Sequence, residues 1–146
     1  MNRCFLLFLC LILSVSFGCS QGPTCYFVEG TVTFKGEPLS KATIAFIPVD
    51  PDGEAVFASG MTDDNGRFTL TAAQFGDEGR GTTPGEYLVT IRRNKDEPSR
   101  TIPTDYGPAS VYDSLIPQRY ASQATSGLQA VVERKRNSFT FDLEER

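Results

Sequence analysis

The sequence predicts an all-β fold: an antiparallel Greek-key β-sandwich of about seven short strands, after an N-terminal signal peptide. Three observations predict the strand count and class. Apolar and polar residues alternate with period two in short stretches between residues 26 and 143. Clusters of Gly, Pro, Asn and Asp separate those stretches, as turns between strands require. No stretch repeats its apolar residues at helical spacing over a useful length.

In Tyr26-Phe27-Val28-Glu29-Gly30-Thr31-Val32-Thr33-Phe34, Val28, Gly30, Val32 and Phe34 share one face, the signature of a half-buried strand. Lys35-Gly36-Glu37-Pro38-Leu39 follows as a turn. Ala42 to Pro48 is a second strand with Ala42, Ile44 and Phe46 inward, ended by Pro48, which lacks an N–H. Residues 49–54 read as a polar loop and Ala55 to Thr62 as the third strand. Asp63-Asp64-Asn65-Gly66 is a hairpin signal, because Asn-Gly accepts the left-handed angles of tight turns. Arg67 to Thr71 returns with Phe68 and Leu70 inward.

The stretch 72–84 is rich in Gly and polar residues and reads as a loop. Gly85 to Arg92 is the fifth strand, with Tyr87, Val89 and Ile91 on one face. From 94 to 114 Pro98, Pro103, Gly107 and Pro108 break any regularity, which predicts a long surface excursion. Leu115 to Tyr120 packs back as a short strand or turn. Leu128 to Glu133 and Ser138 to Leu143 are expected to close the chain as a hairpin.

Ahead of this domain, Arg3 supplies one positive charge and Cys4 to Leu13 form an unbroken apolar run that trails into Ser14 to Gly18. A charged start, an apolar core and a small residue at the end are the three parts of a secretory signal peptide. The run falls short of the roughly 20 apolar residues of a membrane span, and Gly, Ser and Pro crowd in after it. An uncleaved anchor helix is the alternative. The expected organisation is a signal peptide over 1–18, a linker over 19–25 and the β-domain over 26–146.

Of the four cysteines, Cys4 and Cys10 would leave with the signal peptide. Cys25 would remain as a thiol near the linker, or as one half of a disulfide, either between chains or with an unmodified Cys19. The chain has no histidine and no Cys-x-x-Cys pair, so a zinc or copper site of the usual kind is not expected. The net charge of −4 becomes −5 once Arg3 is removed, which argues against a nucleic-acid partner. Asp63 opens a faint calcium-loop pattern, but the twelfth position, where a glutamate is wanted, is Gln74. The basic cluster Arg134-Lys135-Arg136 reads as a solvated strand end.

Gly18-Cys19 resembles the core of a bacterial lipobox, with Ser16 and Phe17 departing from its usual residues. That resemblance implies lipidation of Cys19, with ordinary signal-peptidase cleavage nearby as the alternative, and Ser20 after it points to the outer membrane. Further on, Gly30-x-Val32-x-Phe34-x-Gly36-x-Pro38-Leu39, Ala42-x-Ile44-x-Phe46, Thr62-Asp63-x-x-Gly66-x-Phe68 and Pro84-Gly85-x-Tyr87-x-Val89 stand in order. Together they resemble the carboxypeptidase regulatory-like domains, whose fold is transthyretin-like (prealbumin-like). The closing Ile116-Pro117-x-x-Tyr120, Thr125-Ser126-Gly127-Leu128 and Phe139-x-Phe141-x-Leu143 are similar to the C-terminal signature of small exported or lipid-anchored planctomycete-type proteins. Hydroxyisourate hydrolases share the fold but use histidines and a Tyr-Arg-Gly-Ser-like ending, both missing here.

These readings imply a non-enzymatic module with no cofactor, exported and lipid-anchored to the cell envelope at Cys19, facing the periplasm or the cell surface. Its expected role is structural or one of protein contact. The alternative is a carbohydrate-, peptide- or small-ligand-binding protein using loops 72–84 and 94–114, with Tyr106 and Tyr112 stacking on a sugar. Serine or cysteine catalysis is not expected without a histidine base.

Overall fold

A computed structural model describes residues 24–145, and they form an all-β fold with two short 3-10 turns at Ala73–Glu78 and Gln118–Ala121. Ten strands carry it: β1 (Val28–Phe34), β2 (Glu37–Pro38), β3 (Thr43–Pro48), β4 (Ala58–Met61), β5 (Arg67–Thr69), β6 (Gly85–Arg92), β7 (Arg100–Thr104), β8 (Gly107–Val111), β9 (Leu128–Val132) and β10 (Asn137–Leu143).

One sheet has β1 at its centre, with β10 along one side and β2 and β5 sharing the other. The second runs β4-β3-β6-β9, antiparallel throughout. The alternation in the sequence explains which faces are buried. Val28 and Val32 of β1, Ile44 and Phe46 of β3, and Tyr87, Val89 and Ile91 of β6 are all fully buried. Their neighbours from both sheets join one core cluster. Phe46 of β3 meets Phe139 and Phe141 of β10 with ring centroids 5.6 and 6.2 Å apart, edge to face, the geometry aromatic pairs prefer.

Two expectations are corrected. β9 and β10 do not pair as a closing hairpin: β9 joins β6, and β10 joins β1. The β1–β10 pairing is parallel, from Val28 opposite Asn137 to Phe34 opposite Leu143, so the sheets are not antiparallel throughout. The reason lies in the turn between them. Asn137 donates from Nδ2 to the carbonyls of Glu133 and Lys135, and its Oδ1 accepts from the Glu133 N–H, which folds 133–137 into a corner between the sheets. In the same way Asp63–Gly66 makes a tight turn, but it passes the chain from β4 in one sheet to β5 in the other.

At Gly30, β1 leaves no room for a side chain against β10. A Cβ built there would lie 2.3 Å from the Phe139 carbonyl oxygen and 2.7 Å from the Phe68 ring, so only glycine fits.

Candidate functional site

Cys19, the expected lipidation site, and the expected signal peptide over 1–18 lie outside the described residues. From Thr24 the chain enters the domain at a defined place. The Tyr26 N–H donates to the Thr82 carbonyl at 2.8 Å and the Thr82 N–H returns to Tyr26 O at 3.1 Å. Thr82 precedes the start of β6, so the N-terminus enters at that end of the molecule. Cys25 is a free, half-buried thiol packed against the core, and burial pushes its pKa up, which makes it a poor nucleophile. Among the described residues no helix is long and apolar enough to cross a membrane.

The loop 72–84 belongs to this end, and part of it is core rather than binding surface. Thr82 and Thr83 are fully buried around the hydroxyl of Tyr87. That hydroxyl donates to the Thr83 carbonyl at 2.7 Å. Thr82 Oγ1 donates to Val56 O and Thr83 Oγ1 to Glu54 O, each at 2.8 Å, while the Val56 N–H donates to Thr83 Oγ1 at 2.9 Å. These bonds stitch residues 54–56 to the start of β6. The Gly81 backbone, at φ 98°, comes so close to Tyr26 that a Cβ would fall 1.8 Å from its carbonyl oxygen.

The excursion 94–114 leaves the opposite end of β6. Eight strand residues at about 3.3 Å each separate the two loops by about 23 Å. They therefore do not line one site. Within the excursion β7 and β8 pair as an antiparallel hairpin, Arg100 opposite Val111 through Thr104 opposite Gly107. The ladder continues down to its base through Ser99 N–H to Val111 O, Lys95 N–H to Asp113 O and Leu115 N–H to Arg93 O, at 2.7, 2.8 and 2.7 Å. Every residue of β7 is exposed, and the hairpin pairs with neither sheet. Tyr106 at its tip is completely exposed, while Ile102 and Tyr112 are more than a third exposed.

At the base, Arg93 is nearly buried and donates from Nε to the Ser40 carbonyl at 2.8 Å. Its guanidinium and Lys41 Nζ both reach Asp96, each at 3.2 Å. Hydrogen bonds from Arg93 and then Lys41 hold the Asp96 carboxyl below the usual carboxylate range. Sequence reasoning missed this clamp, since Lys41 and Asp96 stand 55 positions apart and neither belongs to a motif.

The Asp63 turn does the work of a turn. Asp63 Oδ1 accepts from the N–H groups of Asn65 and Arg67 at 2.9 and 2.8 Å. Beside it a cleft of about 670 Å³ opens on the outer face of the β1 sheet, lined by Glu29, Thr31, Met61, Arg67, Thr69 and Ser138 among others. Among the described residues no three His, Cys, Asp or Glu side chains gather as a metal site requires.

The closing signature is structural. Ile116 and Tyr120 are buried, and the Tyr120 hydroxyl donates to Glu144 O at 3.2 Å and accepts from the Glu144 N–H at 3.0 Å. Thr125 Oγ1 donates to the Arg119 carbonyl at 2.8 Å. Comparison of the chain with protein-family models, with characterised proteins and with solved structures finds no match in any of the three.

Proposed function

We propose that this chain is a non-catalytic module of the bacterial cell envelope, lipid-anchored at Cys19, whose β-domain mediates protein contacts. In this reading the domain is a Greek-key sandwich of transthyretin-like kind, and the carboxypeptidase regulatory-like resemblance describes its fold.

One observation carries the proposal: the chain enters at one end of β6, and the bare hairpin projects from the other. A domain tethered through residues 19–25 presents the hairpin on the side far from its membrane. An isolated two-stranded hairpin gains little stability by itself in water. Twelve exposed or half-exposed residues from Arg100 to Val111 therefore make better sense as a contact element than as a support for the core. The satisfied hydroxyls of Thr82, Thr83 and Tyr87 support a structural reading of the opposite end.

The test is the mass of the mature N-terminal peptide from membrane and soluble fractions. The expected result is a diacyl- or triacyl-modified peptide beginning at Cys19, found in membranes. A soluble, unmodified peptide beginning elsewhere refutes the anchor.

A further inference from the structure

The outer edge of β10 is open from Ser138 to Asp142, up to Glu144, whose N–H and carbonyl the Tyr120 hydroxyl holds, and its sequence is complementary to itself. We propose that two copies of this chain pair antiparallel along β10, about a two-fold axis at Thr140, to join their β1 sheets into one. The inference goes beyond the anchored module and does not depend on the anchor.

The hydrogen-bond pattern fixes which backbone groups are open. Asn137 N–H donates to Phe27 O at 2.9 Å, and Leu143 O accepts from Lys35 N–H at 3.0 Å. In a parallel ladder alternate residues bond to the same neighbour. Residues 137, 139, 141 and 143 therefore face β1, while Ser138, Thr140 and Asp142 turn their N–H and C=O groups outward. Among the described residues nothing takes those groups. Exposed edges of this length invite a further strand.

The β4 edge is closed and the hairpin is blunted. The Ser59 N–H of β4 donates to Thr71 O and the Thr71 N–H returns to Ser59 O, at 3.1 and 2.9 Å. Proline interrupts both strands of the hairpin, Pro103 opposite Pro108. β10 has seven residues, the longest open edge, and no proline. The open strand β9 in the other sheet has five.

A two-fold through Thr140 sets every partner by symmetry. Thr140 lies opposite Thr140 of the second copy, and Ser138 opposite Asp142, so all three outward-facing positions form hydrogen-bonded pairs. On the outer face Ser meets Asp and Thr meets Thr, with no like charges opposed. On the inner face the half-buried Phe139 meets Phe141 and gains cover. Past the strand ends Arg136 comes opposite Glu144, and Lys135 opposite Glu145. The basic cluster before β10 and the acidic pair after it thus become one complementary set. These side chains also serve within the chain, Arg136 on Glu29 at 2.8 Å, for example, but such exposed pairs are readily shared.

Cysteine cross-linking reads the register. In a hydrogen-bonded antiparallel pair the two Cα atoms are about 5.5 Å apart, within disulfide range. Thr140→Cys should give a disulfide-linked dimer under mild oxidation, in yield well above that of the parent chain. Ser138→Cys should not, because the two positions 138 lie four residues out of step, about 13 Å apart. Cross-linking of Thr140→Cys at the parental level, or of Ser138→Cys equally well, overturns the proposal. Sedimentation equilibrium of the full chain in mild detergent gives an independent readout. The chain is expected to dimerise and Thr140→Pro to sediment as a monomer with an unchanged circular dichroism spectrum, since its lost N–H has no partner within the chain. A chain monomeric up to about 1 mM overturns the proposal and leaves the edge to a strand from a different protein.

Discussion

Replacing Tyr87 by phenylalanine tests whether the buried hydroxyl knot holds the start of β6. The ring fits unchanged, so the variant removes only the hydroxyl, one donor and one acceptor, from a fully buried site. The proton inventory predicts what is lost. Thr82 Oγ1 has Val56 O as acceptor, Thr83 Oγ1 has Glu54 O, and the Val56 N–H has Thr83 Oγ1. Each hydroxyl owns one proton, so none is spare for the Thr83 carbonyl, which Tyr87 serves at 2.7 Å. Tyr87→Phe leaves that one carbonyl unpaired, a cost of about 1–3 kcal/mol. For a folded unit of about 120 residues this lowers the melting temperature by about 4–12 °C. Urea denaturation followed by circular dichroism measures it, with the slope unchanged if only the native state is affected. A loss below about 0.5 kcal/mol would mean that the knot re-pairs without the tyrosine, and the accounting would be wrong.

Other outcomes follow from the same geometry. Gly30→Ala should cost about 3 kcal/mol, because its methyl meets the Phe139 carbonyl, a backbone atom that moves only with β10; equal stability in denaturation would refute the close approach. Excising Arg100–Val111 and rejoining the ends with a short Gly-Ser link should leave the melting temperature within about 4 °C, since the hairpin packs on neither sheet; a larger fall would show hidden support. The folded-state pKa of Asp96 is lowered, so its contribution is present above the unfolded value near 3.8 and lost as pH falls through the folded one. Asp96→Asn should therefore flatten the acid limb of the stability curve, and less so in high salt; an identical acid limb in low salt would refute the clamp.

The parts of the fold that the sequence reveals are those governed by local alternation. Val28 and Val32, Ala42, Ile44 and Phe46, and Tyr87, Val89 and Ile91 are all buried as their period-two spacing requires. Pairing partners are a different matter. Nothing within a few residues of Ser138 shows that β10 will pass over β9 and lie parallel to β1, because that choice depends on contacts across the whole chain. The hairpin within 94–114 was hidden by Pro103 and Pro108, which ordinarily argue against a strand, yet two strands with only each other to satisfy tolerate them. The buried threonines at 82 and 83 looked like loop residues, and only their partners at 54 and 56, brought close by the fold, make burial affordable. The candidate binding loops failed to meet for an equally simple reason: they flank one strand, and a strand keeps its ends apart.

The parallel pairing of first and last strands has a consequence for synthesis. Thr31 and Thr140, neighbours across the ladder, are 109 positions apart in sequence. The central strand β1 therefore waits for 109 further positions before its main partner exists, and such distant closure is slow. A nascent chain lacking its last ten residues has no β10, leaving Phe46 without the rings that cover it. For a protein threaded through a membrane channel, that delay is useful. A chain exported as proposed above would stay unfolded and passable until β10 had arrived, and would then fold on the far side.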